Sequence, residues 1–151
     1  MRRWALYLMF SCGILAASAA PAAAIVVMGQ AAVIDPQTIV VGGQAVRLFG
    51  IAPPGQGMIC LDRHHRQVSC WEASSQALAE LIQGREWYCE GNLLDAAGRL
   101  MGMCRSGNLV INELLVARGW CRADRRHGGD FRQLELDARR QRLGMWILQG
   151  N

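Results

Sequence analysis

Two cysteines, Cys89 and Cys104, stand six residues to either side of the turn sequence Asp95-Ala96-Ala97-Gly98. The segments that carry them, Glu86 to Asn92 and Arg99 to Arg105, read as two strands around that turn. A pairing that sets Asp95 opposite Gly98 also sets Cys89 opposite Cys104. Facing positions on neighbouring strands lie within disulfide range. A type I turn with Gly98 as a bulge would shift the register by one and loosen this argument. A second bridge is expected between Cys60 and Cys70, which bracket the loop before the first helix. Each bridge is worth about 2–4 kcal/mol through its restriction of the unfolded chain. Cys121 is left over and is expected to be buried as a small apolar residue. Cys60, His64, His65 and Cys70 also lie close in sequence. Their spacing is not that of a zinc finger or ribbon, so no metal is expected there and the histidines are expected to face solvent. His127, beside Gly128-Gly129, reads the same way.

Disulfides require an oxidising compartment, and the N-terminus supplies the route. Arg2 and Arg3 precede an uncharged apolar run from Trp4 to Leu15, and Ala22-Ala23-Ala24 follow Pro21. This is the pattern of a signal peptide over residues 1–24, with residues 25–151 as one exported domain, periplasmic or secreted. An uncleaved anchor is the alternative; no membrane contact is expected beyond this segment. Cleavage after Ala24 leaves 127 of the 151 residues, with 14 of the 16 basic residues against 12 acidic ones, a net charge of +2. All the basic residues are arginine. So small a net charge makes global electrostatics uninformative about a nucleic-acid partner. With 52% apolar and 19% charged residues the chain is not disordered, and it shows no internal repeat. A monomer is expected.

The remaining elements follow from local pattern. Ile25 to Ile34 contains short β-branched runs broken at Gly29 and Gln30. Thr38–Val41, Gly42-Gly43 and Gln44–Ile51 read as a hairpin with a two-glycine turn. A polar loop is expected from Pro53 to Ser69. Ala73, Ala77, Leu78, Leu81 and Ile82 recur at helical spacing in Trp71–Ile82. Asn108 is expected to cap a helix running through Arg118, and a last helix is expected from about Asp130 to Leu143. Five strands with three helices in this order suit an α+β fold, a small five-stranded Greek-key barrel of the OB type. Trp71, Trp87, Trp120 and Trp146 are expected in core or capping positions.

Five segments, taken in order, resemble the staphylococcal-nuclease (thermonuclease) family. Val33-Ile34-Asp35-Pro36-Gln37-Thr38 is similar to its Asp-Gly-Asp-Thr motif. Val46-Arg47-Leu48-Phe49-Gly50-Ile51-Ala52-Pro53-Pro54-Gly55 is similar to Arg-Leu-x-Gly-Ile-Asp-Ala-Pro-Glu. Asp95-Ala96-Ala97-Gly98-Arg99 is similar to Asp-Arg-Tyr-Gly-Arg. Asn112 to Trp120 and Arg142 to Trp146 complete the set, which spans residues 31–146. The resemblance implies an OB barrel with three helices and calcium-dependent phosphodiester hydrolysis. That chemistry needs carboxylates for a hard cation, a carboxylate base, and two arginines for the charge that develops on phosphate.

The chain keeps only part of this set. Arg47 and Arg99 match the two arginines, which implies a retained anion-binding site. Asp35 and Thr38 match the ends of the first motif, and Asp35 is expected to hold the turn through its own side chain. Gln37 and Ala52 stand where the family has metal aspartates, and Gly55 where it has the presumed base. Calcium is therefore not expected as a cofactor. The reading that follows is an exported thermonuclease-like domain, catalytically impaired or inactive, that binds nucleic acid, another anionic ligand or an envelope protein. From Arg118 to Arg142 eight arginines face four acidic residues, which adds local positive charge. Two alternatives stand beside it. One is an active nuclease with a rearranged site that draws on Asp62, Glu72 or Glu90. The other is a structural module of an envelope assembly.

Overall fold

The computed structural model describes residues 23–62 and 64–148. The expected signal segment lies outside these residues except for Ala23 and Ala24. Strand β1 (Ile25–Asp35) is a single run of 11 residues. Its first half, Ile25 to Gln30, pairs with a later strand, while Ala31 to Asp35 pair with β2 (Thr38–Val41). The expected break at Gly29 and Gln30 is thus corrected: it is where one strand changes partner. Strand β3 (Gln44–Leu48) follows β2 through Gly42 and Gly43, at φ 56° and 83°. Two successive positive φ values are what a two-residue hairpin turn demands, and glycine meets them without steric cost. The strand stops at Leu48, short of Ile51, and Ile51–Ala52 form a separate β4.

The expected polar loop contains a hairpin, β5 (Ile59–Leu61) with β6 (Gln67–Ser69). Strands of three residues carry too little pattern to be read locally. The Cys60–Cys70 bridge, with Cα atoms 4.9 Å apart, ties this hairpin to the start of α1 (Cys70–Ile82). Ser69 Oγ accepts from the Glu72 amide at 3.4 Å and caps that helix. Helix α1 turns Ser74, Leu78 and Ile82 inward, the three- and four-residue spacing that the sequence displays.

Strands β7 (Glu86–Leu94) and β8 (Leu100–Ser106) carry the second bridge, and Cys89 lies opposite Cys104. The turn does impose the one-residue shift: Leu94 faces Leu100 and Leu93 faces Met101. An irregularity between Glu90 and Leu93 restores the register before the cysteines are reached. Gly91 permits it, because a Cβ there would lie 2.1 Å from the Met101 carbonyl oxygen.

Gly107-Asn108 turn the chain into β9 (Leu109–Val110), and α2 (Ile111–Ala117) follows at once. The expected Asn108 cap is corrected: Val110 occupies the cap position and makes no side-chain bond. The β9 pairing with β8 supplies the order that a cap would have given. β10 (Arg122–Ala123) pairs antiparallel with β4. After a 3₁₀ turn at Gly129–Phe131, α3 (Arg132–Arg140) is shorter than expected. It ends because the Leu143 amide bonds back to the Ala138 carbonyl and Arg142 takes a φ of 53°.

The main sheet runs β3-β2-β1-β7-β8-β9, and β3 additionally pairs in parallel with β8. The fold is α+β, a largely antiparallel sheet with three helices. Ile39, Val41, Val46, Leu48, Trp87, Leu100 and Leu115 form the main core, and a smaller cluster gathers Met145 and Trp146 around the Cys60–Cys70 bridge. Trp71 and Trp120 are half-buried. Cys121 is fully buried with no disulfide, and burial pushes its thiol up to about 12. An oxidised chain beginning at Ile25 should therefore show no thiol reactive at neutral pH while folded. In denaturant it should titrate one thiol, rising to all five only after reduction.

Candidate functional site

The turn from β1 to β2 decides the chemistry of the first motif. Asp35 Oδ1 accepts from the Gln37 amide at 2.8 Å, the expected side-chain closure of the turn. Gln37 is 6% exposed and points inward. Its Nε2 donates to the Ile51 carbonyl at 2.5 Å and to the Leu48 carbonyl at 3.3 Å. The Gln37 carbonyl in turn accepts from the Leu48 amide at 2.8 Å. The side chain at position 37 is thus an amide donor spent on two carbonyls.

The other two positions offer less. Ala52 lies on β4 opposite Arg122. Gly55 is exposed, and its carbonyl accepts from the Met58 amide at 3.1 Å. An inward amide, a methyl group and a bare glycine do not fit a hard divalent cation, which needs several anionic oxygens. Among the described residues no group of three His, Cys, Asp or Glu could hold a metal ion. Cys60 and Cys70 are bonded to each other, which withdraws both thiolates from any metal, and His64 and His65 lie exposed.

Arg47 lies on β3 and Arg99 immediately precedes β8, which pairs in parallel with β3. Val46 and Leu48 face the core, so Arg47 projects from the opposite face. It sits between Thr38 on β2 and Met101 on β8. Arg99 lies two residues before Met101, at the end of the turn that leads into β8. It is already engaged: Nε donates to Asp95 Oδ2 at 2.7 Å and an Nη lies at the same distance. Asp95 Oδ1 accepts from the amides of Ala97 and Arg99. The Arg99 side chain first, and then these amides, hold the Asp95 carboxyl below the usual range. Arg47 is half-buried and has no carboxylate partner among the described residues. Thr38 Oγ1, on the residue paired with it, is enclosed without a hydrogen-bond partner among the described residues. This face offers a guanidinium to an oxyanion, and Asp35, paired with Thr38 beside it, spends one carboxylate oxygen on the Gln37 amide.

Of the three candidate substitute carboxylates, Asp62 and Glu90 are engaged by neighbouring side chains. Asp62 bonds the amides of His64 and Arg66 and the Arg66 side chain, which hold it down at about 2. Glu72 stands exposed in the first turn of α1, and Glu90 accepts from Tyr88 Oη at 3.1 Å. Sequence reasoning missed the inward turn of Gln37, for which the sequence carried no local signal. It also missed Asn112, whose buried side chain joins α2 to β3 and β8: Nδ2 donates to the Phe49 carbonyl at 2.8 Å and Oδ1 accepts from the Cys104 amide at 3.1 Å.

No family model matches the chain. It is 32% identical over 126 residues to succinoglycan biosynthesis protein ExoI of Rhizobium meliloti (strain 1021). The match covers 82% of this chain and 66% of that protein, so the chain spans just under two thirds of the curated relative's length.

Restoring an acid at position 37 should not restore a metal site. Gln37→Glu replaces a donor by a carboxylate facing two carbonyl oxygens, and urea unfolding should show a loss of about 1–3 kcal/mol. An unchanged midpoint would contradict the role given to the amide.

Proposed function

We propose that this chain is an exported domain of the staphylococcal-nuclease type, built on an OB-type barrel, that binds an anionic ligand and does not hydrolyse phosphodiesters. The motif order from Asp35 to Trp146, the three helices and the parallel contact of β3 with β8 support the fold reading. Two disulfides support an oxidising compartment, periplasmic or extracellular. The observation that carries the functional reading is the Gln37 amide bonded to the Leu48 and Ile51 carbonyls. With Ala52 and Gly55 it leaves Asp35 as the one carboxylate of the resembled set beside Arg47, too few for a hard cation and a separate base. Loss of a general base alone costs about 10²–10⁴ in rate.

The relative's name ties that protein to succinoglycan biosynthesis. We carry the glycan over as the material this chain meets outside the cytoplasm, where it serves as a binding component of the envelope machinery. The test is hydrolysis of single-stranded DNA by the purified oxidised protein, with and without calcium, beside an active control nuclease. No turnover above background is expected in either condition. Turnover that Arg47→Ala abolishes would overturn the reading.

A further inference from the structure

A second cleft, of about 690 Å³, opens between α3 and the β4–β10 ribbon, and neither Arg47 nor Arg99 lines it. Its size is that of a small-ligand site. One wall is a face of α3. Arg132, Glu135, Leu136 and Arg139 recur there at three- and four-residue spacing, so they stand above one another. The other wall is Arg122, held opposite Ala52, with the turn residues Arg125 and Arg126 beyond it.

The two carboxylates in the cleft are both engaged by the protein. Glu135 pairs with Arg139 through one oxygen and accepts from the Ala123 amide at 2.8 Å through the other. Arg139 is further fixed over the Trp146 ring at 4.2 Å. Asp124 Oδ1 accepts from the amides of Arg126 and His127 at 2.7 and 2.9 Å. Arg122, Arg125, Arg126 and Arg132 therefore line the cleft without a carboxylate partner among the described residues. Arg122 is half-buried; its Nε is enclosed with no acceptor among the described residues, and an Nη reaches only the Pro53 carbonyl at 3.4 Å. Like charges concentrated in a cleft focus its field on an anion.

We propose that this cleft binds an acidic oligosaccharide, its carboxylates held by the guanidinium groups of Arg122, Arg126 and Arg132. The proposal rests on the glycan-binding reading above and names the ligand class and its site. Guanidinium matches carboxylate through paired, charge-assisted hydrogen bonds. The walls favour a sugar over a nucleic acid for two reasons. No aromatic ring lines the cleft, so bases have nothing to stack on. Asp124 Oδ2 has no donor among the described residues and can accept from a sugar hydroxyl, a donor that a DNA phosphodiester backbone lacks. Leu136, 52% exposed on the same face, offers the C–H surface of a sugar ring an apolar contact.

The test is fluorescence anisotropy at low salt with the full-length chain, expressed for export so that its disulfides form. The probes are a labelled oligogalacturonate, the same oligomer fully methyl-esterified, and oligodeoxythymidylate. The acidic oligomer should bind at least ~10-fold more tightly than either other probe, and its affinity should fall as salt is added. Arg126 and Arg132 are both exposed, so the double variant Arg126→Gln/Arg132→Gln should keep its circular dichroism spectrum while losing ~10-fold or more in affinity. Arg85→Gln, an exposed arginine outside the cleft, should bind as the unmodified chain does. The proposal is overturned by equal binding of the methyl ester, by tighter binding of the oligonucleotide, by no binding of the acidic oligomer, or by an unaffected double variant. DNA hydrolysis in the assay above would remove the non-hydrolytic reading and leave these results standing. Loss of discrimination here would remove the cleft assignment alone.

Discussion

The parallel contact between β3 and β8 is the constraint on which the site depends. Val46, Arg47 and Leu48 lie beside Leu100, Met101 and Gly102. The contact joins segments more than 50 residues apart, so something must offset the entropy of bringing them together. Leu48, Leu100 and Val46 do so by burial in the main core. Asn112 adds specificity: fully buried, it bonds Phe49 at the end of β3 together with Gly102 and Cys104 of β8. An apolar residue there would leave those backbone groups unsatisfied, at about 1–3 kcal/mol for each one stranded. Because this contact is in place, Arg47 lies beside Met101, two residues along the chain from Arg99. β4, just beyond β3, is then free to pair with β10 and form a wall of the second cleft.

The carboxylates of the chain explain why both sites are cationic. Asp35, Asp62, Asp95 and Asp124 each accept from the amide two residues further on. Each is spent on closing its own turn, a use that short acidic side chains fill well. Asp62 and Asp95 also pair with the arginine four residues on. The acids thus serve as local structure, and the arginines not recruited to them set the potential outside. The all-arginine composition suits this division, since guanidinium bonds carboxylate in paired geometry within the fold and on a ligand alike.

What was legible in the sequence was local. The Gly42-Gly43 turn, the face of α1, the Asp35 turn, both disulfides and the burial of Cys121 follow from spacing and turn chemistry over a few residues. The register shift at Gly98 was foreseeable as an alternative, but its cancellation at Gly91 was not, because it depends on how closely the Met101 carbonyl approaches. The two-residue strands β4 and β10 exist only through each other, some 70 residues apart, so no period announces them. At the site, Arg47 and Arg99 stood out through motif resemblance, while the direction of Gln37 depended on carbonyls of β3 and β4. The arginine run from 118 to 142 was plain as charge. That Glu135 and Asp124 are consumed within the fold, leaving Arg122, Arg126 and Arg132 unbalanced, required the tertiary structure.

In the proposed reading, the Asp35–Thr38 turn and its neighbours hold internal hydrogen bonds in place of a calcium site. Isothermal titration of calcium into the oxidised chain tests it most directly. No saturable heat is expected across the ~10⁻⁴–10⁻³ M range in which extracellular calcium sites operate. Saturable binding of one calcium per chain that Gln37→Ala abolishes would contradict the account.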